Sequence, residues 1–154
     1  EGIVYSSKPL SYQGVIIDNF NISFKEGKVV DAHAEVGEET LRSMINVCEN
    51  SDMLGEVALV QYDSPISNCN QVFLETLYDE NAACHLALGD SFTECIENGP
   101  KIDKEILLKE HNLNKSDSHT DFMIGNRDLN ITGITSSGEE VPIFVNGNFT
   151  EEFN

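Results

Sequence analysis

Basic side chains are scarce: nine Lys and Arg stand against 27 Asp and Glu in 154 residues, a formal charge of -18. That field repels phosphate backbones and anionic lipid, so neither nucleic acid nor a membrane surface is an expected partner. No run approaches the roughly 18 uninterrupted apolar residues that a membrane helix needs. The opening Glu1-Gly2-Ile3-Val4-Tyr5 has no basic region followed by an apolar run, and no initiator Met. No signal peptide is therefore expected there, and the segment reads as cut from a longer chain. Cys-x-x-Cys pairs are missing. Cys48, Cys69, Cys84 and Cys95 are irregularly spaced and read as free thiols of a reducing cytosol rather than a disulfide framework. A Gly-x-Ser-x-Gly frame is also absent, so Ser64 is no nucleophile elbow. No glycine-rich phosphate loop occurs, and no Asp-x-[Asp/Asn]-x-[Asp/Asn]-Gly loop for calcium.

What is present describes a globular chain, with 40% hydrophobic and 23% charged residues. No repeat or linker divides it, so residues 1–154 read as one domain. Most of the acidic excess reads as solvated surface, with a few carboxylates free to converge on divalent cations. Gly14 to Phe24 is rich in β-branched and aromatic residues, and with Lys28 to Glu35 it predicts a hairpin turning at Glu26-Gly27. Leu41, Met44, Ile45 and Cys48 share one face of a helix expected over 37–49. Val57 to Val60 reads as a strand buried on both faces, and 71–88 as helical in pieces. Asp103 to His111 predicts another helix. Strands are expected over 120–124, 129–134 and 141–145, parted by Gly125-Asn126-Arg127 and Ser136-Ser137-Gly138. Strands at both ends with helices between them argue for an α+β fold on an antiparallel or mixed sheet.

Candidate chemistry gathers in three places. His119 and Asp121 are two apart on a predicted strand, so imidazole and carboxylate share a face and suit zinc, cobalt or manganese. By spacing alone such a pair is more often a hydrogen bond that orients the His. Glu56 opens the Val57–Val60 strand, where the simpler reading is a solvated strand end. Asp79, Glu80 and His85 share an expected helical stretch, in which Asn81, four residues before His85, is placed to orient the imidazole. Cys84 and His85 are neighbours whose side chains diverge, which argues against a Cys–His nucleophile pair.

Longer word matches go further. Leu54-Gly55-Glu56-Val57-Ala58-Leu59-Val60, Tyr62-Asp63-Ser64-Pro65-Ile66-Ser67, the run Asp79 to Gly89 and His119-Thr120-Asp121-Phe122-Met123-Ile124-Gly125 occur in this order. Together with Ser7 to Gly14 and Asn146-Gly147-Asn148, they closely resemble the thermophilic-aminopeptidase family of dinuclear metallo-aminopeptidases (aminopeptidase T and aminopeptidase S type), in its C-terminal portion. The resemblance implies a metal-dependent aminopeptidase that releases N-terminal residues from peptides through water activated by two divalent ions (Zn, Co, Mn or Mg). By the same resemblance Glu56, His85, His119 and Asp121 are metal ligands, with Glu56 bridging. A cytoplasmic homodimer acting on peptide substrates is likewise implied, whereas the general base is not assigned. A further family ligand, from a Glu-Glu-Val-Phe-Thr-like motif, precedes the point where this chain begins. The segment alone is therefore expected to bind metal weakly and hydrolyse little. Phe92 stands where relatives carry a Tyr near the metals, and Gln61 where some have another residue. The competing expectation is a non-catalytic acidic binding or oligomerisation module.

Overall fold

A two-residue turn organises the first half of the chain. Glu26 and Gly27 both take positive φ, 52° and 77°, the combination that reverses a twisted antiparallel pair. The computed structural model describes residues 1–153. In it, β3 (Val15–Lys25) and β4 (Lys28–Val36) form the expected hairpin around this turn. β1 (Gly2–Tyr5) pairs with the C-terminal part of β3, and β2 (Leu10–Tyr12) with its N-terminal part, completing a four-stranded antiparallel sheet.

The helix α1 (Glu38–Ile45) follows and buries Leu41, Met44 and Ile45, the one-face spacing of the sequence, with Glu38 and Glu39 in its first turn. It ends four residues before Glu49, the expected limit, and Cys48 falls in the turn beyond it. Leu41 and Met44 pack with Ile17, Phe20 and Ile22 of β3. Full burial of each such side chain contributes about 1.5–3 kcal/mol.

Against this core lies a second antiparallel sheet in the order β5 (Leu54–Ala58), β6 (His85–Gly89), β7 (His119–Met123). Leu86, Leu88 and Phe122 face the first sheet, and the Phe20 and Phe122 rings meet at a tilt, 5.7 Å between centroids. Between β5 and β6 run the short helices α2 (Pro65–Asn68) and α3 (Thr76–Asp79) and a 3-10 turn over Glu80–Ala82. α4 (Lys104–Glu110) precedes β7, as expected from its charged and leucine-rich pattern.

The third sheet, β8 (Ile131–Ile134), β9 (Glu140–Val145) and β10 (Asn148–Phe149), is antiparallel as well. Its Asn146-Gly147 turn accepts a hydrogen bond from Tyr62 N at the Gly147 carbonyl (2.7 Å), and Asn148 Oδ1 accepts one from Asp63 N (2.8 Å). That tie gives the Asn-Gly-Asn word a structural role. The fold is α+β, with every strand pairing among the described residues antiparallel. No helix among them is long and apolar enough to cross a membrane.

Two expectations give way here. His85 lies at the start of a central strand, not on a helix, and Asn81 donates to the Leu77 carbonyl instead of meeting the imidazole. All five residues of β6 are buried, so its faces cannot be told apart by polarity, and such a run reads equally as strand or helix. The strand assigned to Val57–Val60 begins earlier, at Leu54, and is an edge strand. Val57 is 62% exposed, so it is not buried on both faces.

Candidate metal centre

The face of the second sheet opposite the core carries the site. Residues directly across an antiparallel pair point the same way. The register aligns Glu56 with Ala87 and Ala87 with Asp121, while Gly89 aligns with His119. His85 lies two residues before Ala87, and His119 two before Asp121, so all four polar side chains share this face. The small Ala87 and Gly89 leave the middle of the face open for them to converge.

Glu56 reaches that face because of an irregularity at Gly55. Leu54 pairs with Leu88 but Glu56 pairs with Ala87, so one extra residue stands on β5. The bulge lets Leu54 turn to the core while Glu56, two residues on, turns to the site. In an unbroken strand the two would point the same way. Gly55 also packs against backbone: a Cβ there would sit 2.4 Å from the Gly89 carbonyl oxygen. The three residues Leu-Gly-Glu thus have three separate duties.

The four groups converge pairwise on that face. His85 Nε2 is 3.3 Å from Glu56 Oε1 and 4.0 Å from Asp121 Oδ1. His119 Nε2 is 3.5 Å from Glu56 Oε2 and 3.2 Å from Asp121 Oδ1. Both rings are held from behind, His85 Nδ1–H by the Ala83 carbonyl (3.2 Å) and His119 Nδ1–H by the Asp90 carbonyl (2.8 Å). With Nδ1 committed as a donor, each neutral ring turns its Nε2 lone pair toward the carboxylates.

Two lone pairs facing two carboxylates repel unless something positive lies between. A proton is one answer. The Asp121 carboxylate hydrogen-bonded to His119, against the opposing effect of burial, pushes the imidazole pKa up to about 9. A divalent cation is the other. Donor atoms of Glu56, His85 and Asp121 all lie within 4.8 Å of one another. Bonds of about 2.1 Å in tetrahedral array separate ligand atoms by about 3.4 Å, close to the shorter contacts here. The residues present therefore fit a divalent metal, and imidazole with carboxylate suits zinc, cobalt or manganese.

Glu56 is thus not the solvated strand end that its own sequence context favours. It stands mid-strand, with a side chain 22% exposed and an imidazole beside each oxygen. Two further residues border the quartet. Burial, and then the Asp121 charge, hold the Glu80 carboxyl above the ordinary carboxylate range. Its neighbour Asp79 is spent on structure, accepting from Phe73 N and Glu75 N. The sequence signal for Glu80 was an Asp-Glu pair five residues before a histidine, and it does not say which acid faces the site. Phe92 lays its ring 4.9 Å from that of His119. Gln61 follows β5, and no side-chain hydrogen bond joins it to the quartet among the described residues. Cys84 turns away from His85 and donates to the Val60 carbonyl, and burial raises its thiol pKa.

Paired imidazoles and carboxylates projecting from one sheet face form a donor set of the kind metallohydrolases use. The chain belongs to the thermophilic metalloprotease (M29) family, whose profile matches residues 1–149. It is 52% identical over 149 residues to aminopeptidase AmpS of Bacillus subtilis, a match covering 97% of this chain and 36% of that one. It is 50% identical over 151 residues to aminopeptidase 2 of Geobacillus stearothermophilus, covering 98% and 36%. The solved structure of wild-type AmpT from Thermus thermophilus superposes with a TM-score of 0.85 at 34% identity, over 97% of this chain and 36% of that chain. The chain therefore spans 36% of the length of these relatives. Membership in this metalloprotease family implies use of a divalent metal.

Proposed function

We propose that Glu56, His85, His119 and Asp121 hold two divalent ions, with Glu56 as the bridging ligand, in the C-terminal part of an aminopeptidase that releases N-terminal residues from peptides. The observation that carries this reading is the double engagement of Glu56. One carboxylate oxygen lies 3.3 Å from His85 Nε2 and the other 3.5 Å from His119 Nε2. A carboxylate shared between two centres needs its oxygens turned to different donors in this way.

Divalent ions at such a centre supply Lewis acidity, lowering the pKa of water toward neutrality and polarising a scissile carbonyl. The chain's own residues do the rest. The Ala83 and Asp90 carbonyls hold the imidazoles in register, so the site is ordered before substrate arrives. Phe92 has no hydroxyl to donate. Its ring packs at a tilt against that of His119. A cytoplasmic homodimer with Zn, Co, Mn or Mg belongs to the same reading.

The test uses the intact polypeptide with Glu56→Ala and His119→Ala variants, measuring bound metal by mass spectrometry and hydrolysis of aminoacyl-p-nitroanilides. Metal and turnover are expected to fall together, and retained metal stoichiometry in both variants removes the ligand assignment. The rival reading, a non-catalytic acidic module, requires that the unaltered polypeptide hydrolyse nothing when supplied with metal.

A further inference from the structure

A cleft of about 280 Å³ runs along the outer edge of β5 and opens beside the quartet. Glu56 forms part of its wall, and Phe92, whose ring packs at a tilt against His119, forms another part. Leu54, Val57, Ile96 and Leu113 supply most of the remainder. No Asp, Lys or Arg lines it, and Glu56 is its only carboxylate, already engaged with the two imidazoles. His111, Asn112 and Ser91 add its polar share. Val57 and Phe92 leave 62% and 48% of their surfaces to solvent, so an apolar surface faces water at the edge of a polar centre.

We infer that this cleft receives the side chain of the substrate's N-terminal residue and selects large apolar side chains, leucine- or phenylalanine-like, over small or acidic ones. The inference rests on the aminopeptidase reading and deepens it. A volume below the roughly 300–1,000 Å³ of sites for drug-sized ligands admits one side chain rather than a length of peptide. An acidic side chain would lose water without gaining a Lys or Arg, since neither lines the cleft. A lysine or arginine head would lose water without gaining a free carboxylate. A leucine or phenylalanine side chain would bury itself against Leu54, Val57 and Phe92, and would cover the surfaces that those residues now expose. Differences of this kind in an apolar pocket are worth about 10- to 100-fold in kcat/KM.

Cys95 lines the same cleft and is a free, exposed thiol, whereas Cys69 is free and exposed but lies outside it. This pair provides a measurement that does not need turnover. The intact, metal-loaded polypeptide is alkylated with iodoacetamide in the presence of L-leucinamide or glycinamide, and labelling at Cys95 and Cys69 is followed by peptide mass spectrometry. The two amides share an ammonium group and differ only in the side chain. Leucinamide is expected to slow labelling of Cys95 several-fold, glycinamide to leave it nearly unchanged, and Cys69 to react equally in both. In parallel, leucyl- and phenylalanyl-p-nitroanilide should exceed alanyl-p-nitroanilide by about 10- to 100-fold in kcat/KM, and Ile96→Asp should reduce that ratio about tenfold. Equal labelling of Cys95 with both amides overturns the inference, as does equal kcat/KM for leucyl and alanyl substrates. Failure of every aminoacyl substrate would instead sink the aminopeptidase reading. In that case the Cys95 protection still decides whether the cleft takes an apolar side chain.

Discussion

A single methyl group at position 55 should disable the centre without altering any of its polar side chains. A Cβ built on Gly55 lies 2.4 Å from the Gly89 carbonyl oxygen and 2.5 Å from that of Asp90. Both obstacles are backbone, so no side chain can swing aside. Ordinary contact begins at 3.4 Å, and the β5 bulge and the end of β6 must therefore separate by about 1 Å. The Asp90 carbonyl is also the group that holds His119 Nδ1 at 2.8 Å. Displacing it by that distance takes the contact beyond hydrogen-bond range. Overpacking costs about 1–3 kcal/mol and the lost hydrogen bond about 0.5–1.5, so Gly55→Ala should destabilise by about 2–4 kcal/mol. Against a total stability of about 5–15 kcal/mol, that leaves the variant folded at 25 °C in most of the range. Freeing the His119 ring from its backing carbonyl should weaken metal binding a further 10- to 100-fold, roughly, if the proposed centre holds. Urea denaturation of the metal-free protein reports the first effect and calorimetric titration with Zn²⁺ the second. An unchanged midpoint together with an unchanged Kd would refute the reasoning, because the close approach of β5 to β6 would then play no part in aiming His119.

Ala87 is fully buried between Glu56 and Asp121 in the cross-strand register. Ala87→Leu should cost about 1–3 kcal/mol by overpacking and force the two carboxylates apart. Equilibrium dialysis that finds full metal content in this variant would count against the shared-face geometry. The metal-free protein should also lose stability in alkali. Because its Asp121 partner raises the folded His119 pKa from 6.5 to about 9, the proton-linked stabilisation is fully present below pH 6.5 and is lost as pH rises through about 9. Urea midpoints that stay level from pH 6 to 10, or a slope that survives His119→Asn, would exclude it. Asn114 Nδ2 donates to the Gly89 carbonyl at 2.6 Å and the Asn50 carbonyl at 3.0 Å, tying the end of β6 to the turn before β5. Asn114→Ala should cost about 1–3 kcal/mol and speed amide exchange in that turn, and an exchange pattern like that of the parent protein would speak against the tie.

Some of the site could be read along the chain because the interactions that make it are local. His119 and Asp121 share a face by the period of two that any strand imposes, and the structure keeps them 3.2 Å apart across Thr120. The β3–β4 hairpin follows from Glu26-Gly27, whose positive φ values are a property of two adjacent residues. The α1 face follows from the spacing of Leu41, Met44 and Ile45. Where local signals were ambiguous, the expectation failed. His85 reads as helical because β6 is buried on both sides, by the core and by the quartet, and carries no alternation to mark it as a strand. The resemblance singled out Glu56, yet its own setting suggested a solvated end, since nothing in Leu-Gly-Glu announces a bulge.

The sequence by itself thus determined the class of fold, its turns and helix faces, and which polar side chains are candidates for the chemistry. Only the tertiary structure decided that they meet. Glu56, His85 and Asp121 are separated by tens of residues, and their contact depends on the register of β5 on β6 and of β6 on β7. Register is fixed by which faces find the core: Leu86, Leu88 and Phe122 are buried in it with Leu54 packed against them, and a one-residue slip would expose them and scatter the quartet. Burying that apolar surface aligns the strands, and the alignment in turn brings two imidazoles and two carboxylates together.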